Sequence, residues 1–597
     1  MVQEPIQEKD DEVKRYWYEF WPKVVPKHVD YKIRTLGELL RNSAKQYPES
    51  QAIYFEGFRM TYQELDILVD QFATGLSKLG VKKGDVVAID TPNIPQFIIA
   101  FYAIQRLGAI ANPIIPLHRF VEIVYQVNDS NSKVLIILDF LYKEYLLDKD
   151  LSQMKNLEHI ILTGIAEYLP KIKAVLGTAL GKVPRMKEWP TKVANIDFHE
   201  YQNILQMGDP INLPKVEIDP KKDVSTLIYT GGTTGVPKGV MLSHFNMSAN
   251  AEQGSIWLES QLPEVKELHG KGGVGLVVPF AHVFGISSGM NLGVSNGYKL
   301  ILFPAPPEKK SKILKLLMKE EATFIPGVPT LWNLINQDPD SVKYKGKLTT
   351  LKACVSGGAA LPPEVKNKFE DLTGALIIEG YGLSETSPNL CCGTFDRSKP
   401  NTVGFPMSDT LVKIVDIDDG KTILPKCPDD NTDDPKYLGE ICACGPQIML
   451  GYFGMPEDSK FALRKDSHGR TWLYTADIGC FDKEGYLMIK DRKRDMIKYK
   501  GHGVFPAEVE KLIYMNEAVN EVGVIGVPHP DGTGQTIKAY ISLKEDYKGK
   551  VTKEDLMKWC QDNISPYKYP RIIEIIDELP KTLVGKILRR ELRQLEE

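Results

Sequence analysis

The sequence predicts an α/β protein with parallel strands that closes with a smaller α+β unit. Three observations carry this expectation. Strand-like and helix-like patterns alternate through the first part of the chain, the arrangement that lays helices over parallel sheets. The texture changes at about residue 497, leaving about a hundred residues, the size of an independent domain. The 597 residues, 43% hydrophobic and 25% charged, supply a core for several domains at roughly 100–200 residues each. A disordered chain and a disulfide miniprotein are excluded.

The opening MVQEPIQEKDDEVKRYW is acidic and polar with no apolar core, unlike a secretory signal. The aromatics of Tyr16-Trp17-Tyr18-Glu19-Phe20-Trp21-Pro22 are expected to pack as an N-terminal arm (1–30), with contact to a membrane surface as the competing reading. Leu36, Leu39 and Leu40 recur at helical spacing, and Ala52 to Phe55 reads as a strand. Thr61 with Glu64 forms a capping box that opens the next helix. VVAIDTP, a helix from Ile94 to Leu107, and ANPII repeat the strand–helix–strand order. Gln105, Arg106, Gly108, Asn112 and Pro113 interrupt the apolar neighbourhood from Phe97 to Ile115, so it does not read as a membrane span. Residues 165–215, rich in Lys, Gly and Pro, are expected to form a surface insertion. KKSKILKLLMK (309–319) is amphipathic and reads as a helix covering a sheet. In the last unit PAEVEKLIYMNE, TKEDLMKWCQDNI and KILRRELRQLEE read as helices. VNEVGVIGVP, TIKAYISL and RIIEIIDEL read as strands.

Lys and Arg total 74 against 78 Asp and Glu, a formal charge of -4. Nucleic acid is therefore not an expected partner, whereas a local anion pocket is compatible with that balance. The eight cysteines are scattered; Cys442 and Cys444 fall on one face of a strand without a second pair or a neighbouring His. Buried thiols in a reducing, cytoplasmic setting are expected, and zinc is not.

The strongest local signal is STLIYT-GGTTGVPKGV-MLSH (225–244). Adjacent glycines let the backbone approach an anion, three Thr hydroxyls and backbone N–H groups offer donors, and Lys238 adds a positive charge. Pro237 before the Lys and Gly239 after it do not fit a Walker loop opening a helix, so a strand–loop–strand hairpin is expected.

TGGTTGVPKGV resembles the signature of the acyl-adenylate-forming (AMP-binding) superfamily. EGYGLSETSP (379–388), YTADIG (474–479), KDRKRDMIKYKG (490–501) and PKTLVGKILRR (580–590) follow in that family's order. PKHVDYKIRTLGELLRNSAKQYPESQAI and AEYLPKIKAVLGTALGKVPRMKEWP are similar to long- and medium-chain fatty-acyl-CoA synthetases. The resemblance covers nearly the whole chain. It implies a large adenylation domain (31–493) with two parallel-type sheets and a small β-barrel subdomain near 400–480, and a mobile α+β lid (494–597). It also implies an ATP-dependent ligase that joins a carboxylic acid to coenzyme A through an acyl-AMP, releasing AMP and pyrophosphate.

On this resemblance Thr230, Gly231, Gly232, Thr233, Thr234, Gly235 and Lys238 would cradle the phosphates of ATP. Tyr381 would face adenine, with Gly380 and Gly382 keeping the approach open. Ser384 would bond the α-phosphate and Glu385 would hold Mg2+. Asp477 and Arg492 match the ribose contacts, one carboxylate having acceptors for two hydroxyls. Gly357, Gly358 and Ala359 match the wall between the adenine and acyl pockets. His282, in PFAHVFG, would stand beside the reacting carboxylate, and the lack of an acid at 280–284 points to a substrate without an α-amino group. Lys586 would bridge carboxylate and phosphate during adenylation. The lid would then turn about Arg494, bringing Lys498 to the site and Gly501 to the pantetheine tunnel.

A short-chain, hydroxy- or aryl-acid ligase is the alternative within this reading. G-x-S-x-G at Ser287 and Ser295 raises a serine hydrolase, but neither serine follows directly on a strand as a nucleophile elbow requires. Peripheral membrane contact, homodimerisation and the preferred acid are left open by the sequence.

Overall fold

Aliphatic runs such as Val86–Asp90 and Ser132–Leu138 are buried almost throughout, as central parallel strands must be. In the computed structural model, which describes residues 13–181, 186, 189–230, 237–429, 432, 434, 436–493, 495–499, 502–529, 535–581 and 587–596, they sit within one of two nine-stranded sheets. In the first sheet Leu376–Gly382, Ala353–Ser356, Phe324–Gly327, Gly273–Leu276, Lys299–Leu302 and Gln51–Phe55 run parallel, side by side in that order. Asn389–Cys392 with Phe405–Pro406 edge it antiparallel on one side, and Phe58–Thr61 does so on the other. In the second, Val224–Thr230, Ile110–Pro113, Val86–Asp90, Ser132–Leu138, His159–Thr163 and Ile196–Glu200 are parallel. Its rims are antiparallel: Lys192–Val193 at one, Lys238–Ser243 and Gly451–Tyr452 at the other. Both sheets are thus mixed, parallel inside and antiparallel at their rims.

Helix starts follow local chemistry. Thr35 with Glu38, Thr61 with Glu64, and Thr552 with Asp555 form reciprocal capping boxes. Pro leads Pro95–Arg106 and Pro506–Ile513, where its missing N–H has no helical partner to lose. Every residue from Pro95 to Gln105 is buried. Roughly 1.5–3 kcal/mol for each large apolar side chain favours that placement, and its polar side-chain donors are paired: the Gln96 amide with Thr163 and Gly164, the Tyr102 hydroxyl with Asn291, and the Gln105 amide with the Ser225 carbonyl. The interrupted apolar stretch is therefore an interior helix. No helix among the described residues is long and apolar enough to cross a membrane.

Residues 165–215 contain more than a surface insertion. Ile196–Glu200 joins the second sheet parallel to His159–Thr163, and Tyr201–Met207 packs Tyr201 on Phe72 with ring centroids 4.3 Å apart. Gly75 permits that packing, since a Cβ there would lie 2.3 Å from the Ile204 carbonyl. The single apolar face of so short a strand gave no period to read. The aromatic arm is packed: Trp17 and Trp21 are buried, Trp17 stacking on Phe481 and Trp21 meeting Trp257 edge-on. Ser311–Lys319 covers the first sheet through Ile313, Leu314 and Leu317.

The β-rich unit expected near 400–480 consists of Leu411–Val415, Gly439–Cys444, Leu463–Lys465, Thr471–Phe481 and Leu487–Arg492, all antiparallel. Among the described residues these strands form an open sheet and not a closed ring. The eight cysteines are buried, and Cys442 and Cys444 pack with Trp472. Beyond residue 497 a hairpin (Ile497–Tyr499, His502–Val504) precedes a three-stranded sheet of Val519–Pro528, Gln535–Leu543 and Ile572–Ile575. Helices Pro506–Ile513, Lys553–Asn563 and Arg589–Gln594 accompany it, and residues 497–573 share a hydrophobic cluster of their own.

Candidate active site

Parallel strands end on one rim, where loops can meet a ligand. At the rim of the first sheet lie the segments that follow Gly273–Leu276, Phe324–Gly327, Ala353–Ser356 and Leu376–Gly382. At the edge of the second, Val224–Thr230 and Lys238–Ser243 form an antiparallel hairpin with Thr230 opposite Lys238. The expected strand–loop–strand geometry is present. Gly231, Gly232, Thr233, Thr234 and Gly235 lie outside the described residues.

Asp477 and Arg492 are direct cross-strand partners, and Arg492 Nε stands 2.7 Å from Asp477 Oδ1. Tyr381 Oη donates to the other oxygen, Oδ2, at 2.6 Å. Burial opposes the charge of Arg492, but Asp477, Tyr381, Glu385 and Asp495 together outweigh it, so its pKa is raised; burial and then Asp477 raise that of Tyr381. The result is a carboxylate held by a cation on one side and a phenol on the other. Ala476, just before it, takes a left-handed φ of 57°, a strained backbone of the sort that collects at functional sites.

Beside the hairpin, Lys238 Nζ pairs with Asp458 of the helix Pro456–Ala462. The same ammonium lies 5.2 Å from the ring centroid of Tyr452, whose Oη donates to Glu385 Oε1 at 2.9 Å. Lys238 and Glu385, drawn from distant motifs, thus meet on Tyr452. Neither Tyr452 nor Asp458 stood out in the sequence; GYFGMPEDSK was the signal available. Ser384 opens a short turn beside them and is half-buried.

The wall between the two expected pockets is tight. A Cβ on Gly357 would lie 3.4 Å from the Phe284 ring and 3.6 Å from the Gly380 carbonyl. Gly358 adopts φ +83°, and Ala359 follows it, exposed. Glu379 ties this wall to its neighbouring strand by accepting the Leu361 N–H at 2.9 Å, and burial pushes its carboxyl up to about 7. Gly382 serves a purpose other than ligand access: a Cβ there would fall 1.7 Å from the Pro388 carbonyl, so the hairpin itself demands glycine.

Asn93 fixes the segment carrying His282. Its Nδ2 donates to the Leu276 and Val278 carbonyls, both at 3.0 Å, and its Oδ1 accepts the Phe280 N–H at 2.9 Å. Burial lowers the pKa of His282, keeping the imidazole neutral at neutral pH. Ser287 lies in a π-helical turn (Phe284–Asn291) and bonds the Met247 carbonyl, and Ser295 ends the helix Leu292–Ser295. Neither occupies a strand-to-helix elbow. Arg494, Gly501, Lys586 and the side chain of Lys498 lie outside the described residues.

Residues 40–453 match the family model for AMP-binding enzyme, and residues 508–586 match that for the AMP-binding enzyme C-terminal domain. The chain belongs to the AMP-binding enzyme family. It is 37% identical over 592 residues to a long-chain-fatty-acid--CoA ligase of Bacillus subtilis (97% of this chain, 98% of the relative). It is 33% identical to one of Escherichia coli O157:H7 (97% and 98%). Among solved structures, an anthranilate CoA ligase in complex with anthranoyl-AMP superposes with a TM-score of 0.76 at 25% identity, covering 95% of this chain and 98% of that one. A long-chain-fatty-acid-CoA ligase of Archaeoglobus fulgidus superposes with a TM-score of 0.65 at 25% identity (92% and 98%).

An AMP-binding enzyme needs a nucleotide site, and the clamp at Asp477 suits a ribose. Mg2+ binds through one or two carboxylates plus substrate phosphates. Glu385 fits that role: it is half-buried, its one side-chain partner is a neutral phenol, and it forms no ion pair among the described residues. No cluster of three or more potential ligands among those residues could hold a metal without a phosphate.

Proposed function

We propose that this AMP-binding enzyme is an ATP-dependent fatty acid–CoA ligase that works in two steps. The carboxylate of the acid attacks the α-phosphorus of ATP, pyrophosphate leaves, and the thiol of coenzyme A then displaces AMP from the acyl-AMP. The observation that carries this reading is the convergence of four motifs on one site: the carboxylate of Asp477 clamped by Arg492 and Tyr381, the ammonium of Lys238, and the carboxylate of Glu385, whose charge also reaches Arg492. The long-chain-fatty-acid--CoA ligases matched over nearly their whole length support the choice of acid.

In this reading Asp477 and Arg492 hold the ribose, and Tyr381 braces Asp477. Lys238 and residues 231–236 bind the triphosphate, and Glu385 would hold Mg2+, which would offset negative charge on the leaving pyrophosphate. Phosphoryl chemistry of this kind asks the protein for positioning and charge stabilisation. Neutral His282 lies beside the incoming carboxylate without bringing a charge. The adenylation domain (31–493) and the lid (494–597) turn about Arg494, so that Lys586 serves the first step and the segment from Lys498 to Gly501 the second.

The test is exchange of labelled pyrophosphate into ATP with Mg2+, and AMP release with and without CoA, across acids from acetate to palmitate and aryl acids. Exchange with long-chain acids and CoA-dependent AMP release are expected. Absence of exchange with every acid would overturn the reading, and a preference for aryl or short acids would move the substrate to the alternative class.

A further inference from the structure

Tyr452 joins two groups whose roles come from different motifs, and its own backbone is fixed from several sides. It lies opposite Val240 in the strand pair that carries Lys238. Its N–H donates to Ser459 Oγ at 2.8 Å, its carbonyl accepts the Met455 N–H at 3.2 Å, and the next N–H, of Phe453, reaches the Gly239 carbonyl at 2.8 Å. Glu385 is anchored too, its carbonyl accepting the Met449 N–H at 3.0 Å. The phenol and the carboxylate therefore meet because both backbones are held, which a chance surface contact does not require.

The chemistry of the contact is specific. A phenol O–H orients a carboxylate by occupying one lone pair and leaves its full negative charge for a cation, which an Arg or Lys partner would cancel. The face of the same ring, within cation–π range of Lys238, fixes the ammonium relative to that carboxylate.

Building on the proposed roles of Glu385 and Lys238, we propose that Tyr452 is a positioning residue that aims the Glu385 carboxylate at Mg2+ and holds the Lys238 ammonium at a set distance from it. Metal and lysine then reach one triphosphate in register. Hydroxyl and ring have separable duties: the hydroxyl governs the metal, the ring governs the lysine.

Two variants separate them. Calorimetry of ATP binding, with and without Mg2+, and pyrophosphate exchange as a function of free Mg2+ are measured for Tyr452→Phe, Tyr452→Leu and Glu385→Gln. Tyr452→Phe keeps the ring, and loss of one hydrogen bond to a charged group is expected to raise the half-saturating Mg2+ about tenfold. Its metal-free ATP affinity should stay within about twofold, and excess Mg2+ should restore the exchange rate, which it would not do for a packing fault. Tyr452→Leu should in addition weaken metal-free ATP binding. A wild-type Mg2+ dependence in Tyr452→Phe alongside a shifted one in Glu385→Gln would overturn the inference and leave the metal role of Glu385 standing. An unshifted Glu385→Gln would overturn that role and the inference with it.

Discussion

Asp458 and Asp477 both face cations, yet their substitution should have opposite consequences. Asp458 is 44% exposed in its side chain and pairs with Lys238. A triphosphate must compete with it for that ammonium, and an exposed pair is worth no more than about 1 kcal/mol. Asp458→Asn is therefore expected to lower KM for ATP by about two- to fivefold in pyrophosphate exchange, with kcat little changed; a raised KM would show that Asp458 instead steers the lysine. Asp477 is buried and holds both Arg492 and Tyr381. Truncating a buried, hydrogen-bonded charge partner costs roughly 2–5 kcal/mol, so Asp477→Ala should cut kcat/KM for ATP by at least about 30-fold. Asp477, Arg492, Lys238 and Glu385 were legible because each sits in a motif whose spacing is distinctive. Tyr452 and Asn93 were not, because a lone Tyr or Asn carries no pattern until folding shows what its polar atoms touch.

Elements were legible where local chemistry sets their ends. The capping box at Thr61 falls where the sequence puts it, and Pro506–Ile513 and Lys553–Asn563 fall within segments that read as helices, whereas Ile196–Glu200 became a strand only by pairing with His159–Thr163. One element carries a pH signature. The helix His244–Gln261 begins with a buried imidazole whose Nδ1 lies 3.2 Å from the Leu36 N–H, and burial pushes its pKa down to about 4. Between about pH 6.5 and 4 the unfolded chain binds a proton there that the folded chain refuses. Stability therefore falls as pH drops through that window, by up to about 3 kcal/mol from this group. His244→Gln, which keeps an acceptor and cannot protonate, should flatten the difference in urea midpoint between pH 7.5 and 4.5. An unchanged difference would assign the acid sensitivity elsewhere.

Across the whole molecule, the last helix reaches back to both sides of Arg494. Arg589 Nη1 pairs with Asp491 at 2.8 Å and with Asp495 at 3.3 Å, while its Nε and Nη2 grip Glu510. Asp491 also accepts the Ala507 N–H at 2.7 Å, and Arg593 adds a second bond to Asp495. Of these partners only Asp491 precedes the proposed hinge, so Asp491→Asn should loosen the proposed lid without loosening its interior. Limited proteolysis near residue 494 should become faster at unchanged cleavage within 520–575; equal acceleration in both would mean that the lid itself had been destabilised. Lys586→Ala should abolish adenylate formation and spare thioester formation from preformed acyl-AMP. Equal loss in the two assays would contradict a lid that presents different faces in turn.

The order of the motifs, the alternation that makes parallel sheets and the change of texture near residue 497 are properties of the chain alone, because they depend on neighbours a few residues apart. What only tertiary structure decided is which distant side chains share one carboxylate. Tyr381 and Arg492 close on Asp477, and Tyr452 spans Lys238 and Glu385. Sequence spacing sets the period of a strand, but strand order and register set what lies across from it, and no local pattern encodes them.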